Sequence, residues 1–451
     1  MPQKTMQMEL PFEGRGEASK VGRSAEAPPA TTGNERSGTS DLMELVVNRQ
    51  NLQAALKRVK QNKGSAGIDG MPVGDLADYL RENWPRIREQ LLTGTYQPAP
   101  VKRTVIPKPG GGERELGIPT VLDRFIQQAL LQVLQPRWDP TFSEHSHGFR
   151  PGRSAHGAVR EAQRQVQQGR RWVVDVDLTK FFDRVNHDIL MGKLAHRIAD
   201  KRVLGLIRSY LNAGIMANGM VVERHEGTPQ GGPLSPLLAN VLLDEVDKEL
   251  EKRGHAFVRY ADDCNVYVQS KRAGERVMAA LAKLYGRLRL QINEHKSAVA
   301  RAWERKFLGF SFWVAAGRTV RRKVAKPALE TMKDRVRQLT RRTRGRSLAQ
   351  VCGELTGYLR GWKNYFKLAE TPKIFAELDE WIRHRLRALQ LKQWRRGTTI
   401  YRELTARGLS RDGAARVAGN GRRWWKNSAK AIHIALPNKL FDQLGVPRLA
   451  A

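Results

Sequence analysis

Two acidic clusters stand out by residue type and spacing. Phe257-Val-Arg-Tyr-Ala-Asp-Asp-Cys-Asn-Val-Tyr-Val268 sets two β-prone runs either side of Ala261-Asp262-Asp263, the pattern of a hairpin with adjacent carboxylates at its tip. Aspartate also favours turns through hydrogen bonds to its own backbone, so alone the pair reads equally as an Asx turn. The second cluster is Trp172-Val-Val-Asp-Val-Asp-Leu178, whose alternation sends Asp175 and Asp177 to one face before Thr179-Lys-Phe-Phe-Asp183. Carboxylates on a buried strand are costly unless paired or bound to metal. Two acidic strand ends could hold two divalent ions about 3.5–4 Å apart, one lowering the pKa of an attacking hydroxyl and the other neutralising a triphosphate and its leaving group. That is the chemistry of nucleotidyl transfer, and it requires Asp177 and Asp262 to meet in space, which spacing alone does not show.

Other residues could handle the substrate of such a reaction. Lys108 and Arg114 flank a Gly-rich turn that can bend two cations onto one polyphosphate, although solvated hairpin charges would look the same. Gln230 precedes Gly231 and Gly232, which would permit close backbone approach. Ser235 is placed to cap a helix with Pro236 at its first position. Arg150 and Arg153 lie in a Pro- and Gly-bearing loop that would serve equally as a plain surface turn. His145, His147 and His156 lack cysteine partners or a regular ligand spacing, and no metal is assigned to them.

The elements that must position these residues read as α+β. Strand-like segments at Val101–Pro107, Trp172–Leu178 and Phe257–Val268 alternate with helical stretches such as Phe125–Leu134 and Leu237–Leu250. Residues 1–40 mix Gly, Pro, Ser and Thr with balanced charge and few large apolar side chains, the composition of a disordered leader. From Asp41 apolar residues recur at helical spacing until Gly64, Gly67 and Gly70 interrupt. Residues 318–346 hold twelve Lys or Arg against Glu330 and Asp334 alone, which favours a phosphate-tracking surface over a merely solvated face. Leu355, Tyr358, Leu359, Trp362, Tyr365 and Phe366 then line one helix face, a stripe that reads as core rather than base-stacking surface.

Composition sets the outer bounds. Across 451 residues, 79 Lys plus Arg face 45 Asp plus Glu, a formal charge of +34 that would work against compactness unless a polyanion accompanies the fold. Two cysteines, Cys264 and Cys352, exclude a disulfide framework and a multi-cysteine zinc site, and suit a reducing cytoplasm. No apolar run approaches the roughly 18 residues of a membrane span, and no signal peptide is evident.

Tyr-Ala-Asp-Asp at 260–263 resembles the metal-binding motif of reverse transcriptases, and Asp177 with Phe182 resembles their first acidic motif. Further blocks occur in order: Arg103–Thr120, His147-Gly-Phe-Arg-Pro-Gly-Arg-Ser154, Gly227-Thr-Pro-Gln-Gly-Gly-Pro-Leu-Ser-Pro236, Gln291-Ile-Asn-Glu-His-Lys-Ser297 and Phe307-Leu-Gly-Phe310. Together they resemble bacterial group II intron reverse transcriptases, and Gly361-Trp-Lys-Asn-Tyr-Phe366 is similar to the maturase segment that follows in those proteins. The likeness runs from about residue 45 to the C-terminus.

The resemblance implies a right-hand polymerase with fingers and palm over 41–317, an all-helical thumb/maturase domain over 318–396, and a small basic DNA-binding-like segment over 397–451. It implies catalytic, magnesium-ligating roles for Asp177, Asp262 and Asp263, with the Leu178 carbonyl as a further ligand to the two ions and Asp175 and Asp183 in support. Deoxynucleoside triphosphate contacts would come from Lys108, Arg114, Phe182 and Gln230, the Phe182 ring excluding a ribose 2′-hydroxyl. Template or primer contacts would come from Arg150, Arg153, Tyr260, Ala261, Lys296 and Gly309. RNA contacts would come from Arg321, Arg322, Lys323, Arg341, Arg342, Arg344 and Lys363. The function so implied is RNA-directed DNA synthesis, assistance to splicing of the intron RNA, and intron mobility by target-primed reverse transcription. Alternatives are a domesticated enzyme without an intron, serving host defence, and a splicing cofactor that has lost polymerisation. With no cysteine after Cys352, the zinc-supported endonuclease of many relatives is not expected. Expected partners are intron RNA, RNA template, DNA primer or target and a second copy of the chain in a homodimer; the expected location is the bacterial cytoplasm, on the nucleoid.

Overall fold

The computed structural model describes residues 40–107, 113–217, 220–222, 226–228, 231–342, 345–429 and 432–450. The expected leader falls outside them. The described chain forms two compact units that meet in sequence between Arg305 and Lys306. The boundary precedes the compositional change at Arg318 because the strand before that point pairs with the strand after it. The helix Trp424–Ser428 packs on the long helix Pro372–Trp394, and the described residues beyond Gly397 fall in the same unit.

The strands of the described residues are numbered in chain order: β1 Val101–Pro107, β2 Glu113–Ile118, β3 Trp172–Val176, β4 Ile215–Ala217, β5 Met220–Val222, β6 Ala256–Tyr260, β7 Asp263–Val268, β8 Ala298–Arg301, β9 Phe310–Val314 and β10 Val320–Val324. In the first unit β2-β1-β4-β5 form one sheet, with β1 parallel to β4. The second sheet, β6-β7-β3-β8, is antiparallel throughout. In the second unit β9 pairs with β10 through Val314↔Val320, and helices follow.

Register assigns faces in the four-stranded sheet. Val174 stands opposite both Val266 and Val299, so Trp172, Val174 and Val176 share a face with Cys264, Val266 and Val268. The helix Lys271–Arg287 lies on that face; a Cβ on its Gly274 would reach the methyls of Val299, Val268 and Val174. The helix Ser235–Lys252 packs there too, against β6, with most of its side chains buried. By alternation the opposite face carries Asp175, Asn265 and Asp263. The helix Ser235–Lys252 also corrects one expectation: Ser235 is its first residue, and Leu234, which offers no side-chain bond, occupies the capping position.

Candidate active site

The acidic tip is built by a two-residue turn. Tyr260 pairs with Asp263, leaving Ala261 and Asp262 to reverse the chain, with Ala261 at φ 57°. A residue with a Cβ pays about 1 kcal/mol or more in that region, so the surrounding structure must impose the turn. Arg259 does so from the helix-covered face of the sheet. Its side chain is fully buried; it ion-pairs with the equally buried Asp247 at 2.5 Å and donates to the Ala261 carbonyl (2.8 Å), Asn240 Oδ1 (3.0 Å) and Ser146 Oγ (2.8 Å). Burial would strip its proton, but Asp247 more than offsets this and raises the guanidinium pKa further. Asn240 in turn donates to the Gly148 carbonyl at 2.9 Å.

The segment 145–149 closes over this turn. Arg259 N donates to the His145 carbonyl and His147 N to the Arg259 carbonyl, at 2.9 and 2.8 Å. A Cβ on Gly148 would lie 2.9 Å from Ala261 Cα and closer still to its nitrogen, so only glycine fits there. His145 and His147 both bond the carboxylate of Glu161. Burial alone would raise the Glu161 carboxyl, but the two imidazoles hold it down at about 2, and the same bond raises His145 above its ordinary value.

Asp177 arrives from β3. The β3–β7 register ends at Val176↔Cys264; carried one step further it brings Asp177 level with Asp263, on neighbouring strands and beside Asp262. The motif Gln291–Ser297 straps the other side of Asp177. Asn293 N donates to the Asp177 carbonyl (2.8 Å), Thr179 N to the Gln291 carbonyl (2.8 Å), and Asp177 N to Ser297 Oγ (2.9 Å). Since the carbonyls of Asp177 and its strand neighbour alternate in direction, the Leu178 carbonyl turns away from this strap. Lys296 Nζ stands 3.7 Å from Asp177 Oδ2, while Asp175 is held by Arg305 at 2.7 Å and, with the Asn265 amide nitrogen turned toward it, by Asn265 at 3.0 Å.

Three carboxylates and a backbone carbonyl on adjoining strand ends are the hard oxygen donors that suit a magnesium ion. Asp177 is one-third exposed and already faces a cation, so that end of the cluster is open and drawn to positive charge. Among the described residues no three such side chains converge on one point.

Around this centre the predicted substrate residues divide. Phe182 is half-buried, edge-on to Phe181 (centroids 5.0 Å apart) in the turn Phe181–Asp183. Thr228 N donates to the Phe182 carbonyl (2.7 Å) and Gly227 N to that of Val185 (2.8 Å), so the loop leading to Gln230 is tied to the segment bearing Phe182. Gln230 and Lys108 lie outside the described residues, as does Arg344; of Arg114 only the backbone, paired with Ile106, is described. Arg150, expected to approach the template, has its partners within the protein. It is buried, and its guanidinium bonds Asp139 and the carbonyls of Ser143 and Ser146, so it braces the 139–150 loop. Arg153 in the same loop is exposed, with one bond to the Glu144 carbonyl.

In the second unit Gly309, at φ 77°, sits in the tight reversal Phe307–Phe310 with its α-carbon against Phe366; a Cβ would meet that ring at 3.2 Å. Tyr365 Oη donates to the Leu308 carbonyl at 3.0 Å, so Phe307-Leu-Gly-Phe310 and Gly361-Trp-Lys-Asn-Tyr-Phe366 pack as one piece. Arg322 pairs with Glu370 and Lys363 donates to the Arg448 carbonyl, whereas Arg321, Arg341 and Arg342 are exposed and Lys323 half-buried. Sequence reasoning missed Arg259, Asp247, Asn240 and Glu161. The signal available for Arg259 was its place inside an apolar run, where a lone cation demands a partner.

The mixed helix-and-strand fold is consistent with a nucleic acid polymerase, and the sequence comparisons give its class as reverse transcriptase. A family model described as reverse transcriptase (RNA-dependent DNA polymerase) matches residues 106–312, and one for the group II intron maturase-specific domain matches 329–408. Protein YkfC of Escherichia coli (strain K12) is 32% identical over 57% of this chain and 78% of its own length. The group II intron-encoded protein LtrA of Lactococcus lactis subsp. cremoris is 41% identical over 43% of this chain and 32% of its own length. The chain belongs to the group II intron reverse transcriptase/maturase family, whose enzymes are RNA-directed DNA polymerases. It spans about a third of the length of LtrA. A solved Cas6-RT-Cas1–Cas2 complex aligns at 26% identity over 55% of this chain and 43% of that one, with a TM-score of 0.36, too low to bear on the architecture.

Proposed function

We propose that the chain synthesises DNA on an RNA template with Asp177, Asp262 and Asp263 as the metal-binding centre. The observation that carries this reading is the strand register that sets Asp177 level with Asp263, one residue from Asp262. These carboxylates and the Leu178 carbonyl would hold the two magnesium ions. When bound, such ions lower the pKa of the primer 3′-hydroxyl and neutralise the departing pyrophosphate.

The chain's own residues set the geometry. Arg259 and Gly148 hold the hairpin tip; the Gln291–Ser297 strap fixes Asp177; Lys296 keeps a positive charge at the open end. Phe182 stands beneath the incoming sugar and selects against a 2′-hydroxyl. Lys108, Arg114 and Gln230 serve the triphosphate and the nucleotide, and Arg153, Tyr260, Ala261 and Gly309 the template and primer. The second unit acts as thumb and maturase surface, binding duplex and intron RNA through exposed cations such as Arg321, Arg341 and Arg342. The protein thereby assists splicing and supports mobility by target-primed reverse transcription, in the cytoplasm.

Asp262→Asn tests the centre. It removes one negative charge at nearly unchanged shape, so primer extension on an RNA template with magnesium should fall by at least about a thousandfold while RNA affinity stays within about twofold. Extension near the parental rate would overturn the assignment.

A further inference from the structure

Basic and aromatic side chains gather on one side of the helix Pro372–Trp394. Lys392 Nζ lies 4.0 Å from the Trp424 ring centroid and Arg342 5.4 Å from the same ring. Arg337 and Arg385 stand over Trp381, at 5.7 and 5.3 Å. Arg337 is paired with Asp334. Among the described residues no acid pairs with Arg342, Arg385 or Lys392. Arg385 donates to Thr340 Oγ1 and the Arg337 carbonyl, both neutral, and burial together with Arg342 and Arg337 pushes its guanidinium down to about 10. Folding has therefore crowded like charges that an anion would relieve.

Beside this cluster stands a ring open to solvent. Trp425 follows Trp424 in the helix Trp424–Ser428, yet 43% of it is exposed. One face stacks on His384 (centroids 3.8 Å apart, planes 31°), and His384 Nε2 bonds the Trp425 carbonyl at 2.9 Å, which fixes the ring's orientation. Arg422, Arg423 and Lys426 around it are exposed. From His384 to Lys392 the helix advances about 12 Å, a span that a few nucleotides can follow.

We propose that the maturase helices and the C-terminal segment together form a binding site for single-stranded polynucleotide, in which a base stacks on Trp425 and adjoining phosphates bind Arg342, Arg385 and Lys392. An aromatic face beside a cationic track is how single strands are held without sequence preference, whereas the bases of a duplex are stacked on one another and cannot reach the ring. The site rests on reading this unit as a nucleic acid surface, but it adds two things to that reading: a preference for unpaired strand, and a dependence on the tail.

The test uses the full chain and fluorescently labelled twelve-nucleotide RNA and DNA strands, each alone and as a duplex, at fixed salt. Trp425→Ala should weaken binding of the single strand about tenfold and leave duplex binding within twofold; Trp425→Phe, which keeps a stacking face, should restore most of the loss. Arg342→Gln with Lys392→Gln should lower the salt slope of single-strand binding by about 1.4, two phosphates' worth. Unequal loss for RNA and DNA identifies which strand the site takes. A thermal midpoint shared with the parent shows that Trp425→Ala is folded. Equal loss for single strand and duplex, or no loss at all, overturns the proposal. Either result leaves the polymerase reading intact, because that depends on Asp262 and primer extension.

Discussion

Arg259 shows how one side chain can decide whether a motif is a site. Asp262 and Asp263 are useful only if the turn that carries them is rigid, and the Arg259–Asp247 pair, fully buried, supplies that rigidity by bonding the Ala261 carbonyl directly. Removing one partner of such a pair typically costs 3–5 kcal/mol, since the other charge is left unpaired in the interior. The gate proposed for Phe182 would work by shape instead. Phe182→Ala should raise ribonucleotide incorporation relative to deoxynucleotide at least about tenfold, read as the ratio of kcat/KM values in single-nucleotide extension; an unchanged ratio would remove its gating role. Glu161 illustrates charge as a stability device. Its carboxyl is held at about 2 against an ordinary 4.5, so its contribution is present above pH 4.5 and is lost as pH falls toward 2. His145, raised from 6.5, contributes fully below that value and loses its share as pH rises through the raised one. Glu161→Gln should therefore destabilise the protein by on the order of 3 kcal/mol near pH 5.5, with a difference from the parent that shrinks below pH 4.5. Denaturant midpoints at several pH values would show it, and a pH-independent difference would contradict the linkage.

At the scale of elements, three separate pieces of chain meet at the acidic tip: the β6–β7 hairpin, the end of β3, and the loop 145–149. Their junction is tight enough that a methyl group is too much. Gly148→Ala would press a Cβ into the Ala261 backbone and displace Asp262. A shift of about 1 Å costs on the order of a hundredfold in rate. Primer extension by Gly148→Ala should fall by that order while RNA binding persists, and a near-parental rate would show that the hairpin tip tolerates the displacement. The strap Gln291–Ser297 plays the matching role for Asp177, bonding its backbone on both the N–H and the C=O. In the second unit, the reversal at Leu308 and Gly309 is packed on Tyr365 and Phe366 in the same way, so two short motifs far apart in sequence form one packed piece.

At the scale of the whole molecule the excess of cations governs. With a formal charge of +34, association with RNA should weaken steeply as salt rises; the log–log slope for a structured RNA should be steeper than about −3, corresponding to four or more neutralised phosphates, and a flat titration would argue against backbone contacts. Charge, the alternation of Trp172–Leu178 and the turn at Ala261-Asp262 are local properties, and they were legible residue by residue: strand ends, hairpin and polyanion partner follow from spacing and type, while the ordered motifs were read by their resemblance to a family. The α+β alternation was legible for the same reason, as hydrophobic period needs no long-range knowledge. What only the tertiary structure decided is which of these charged residues face a ligand and which face the protein. Arg150 and Arg153 are equivalent in composition and context, yet one braces a loop and the other reaches solvent. Arg259 looks like any strand cation until Asp247, on a helix packed beneath, arrives to neutralise it. Partner choice in a folded chain is set by which surfaces packing brings together, and no local period carries that information.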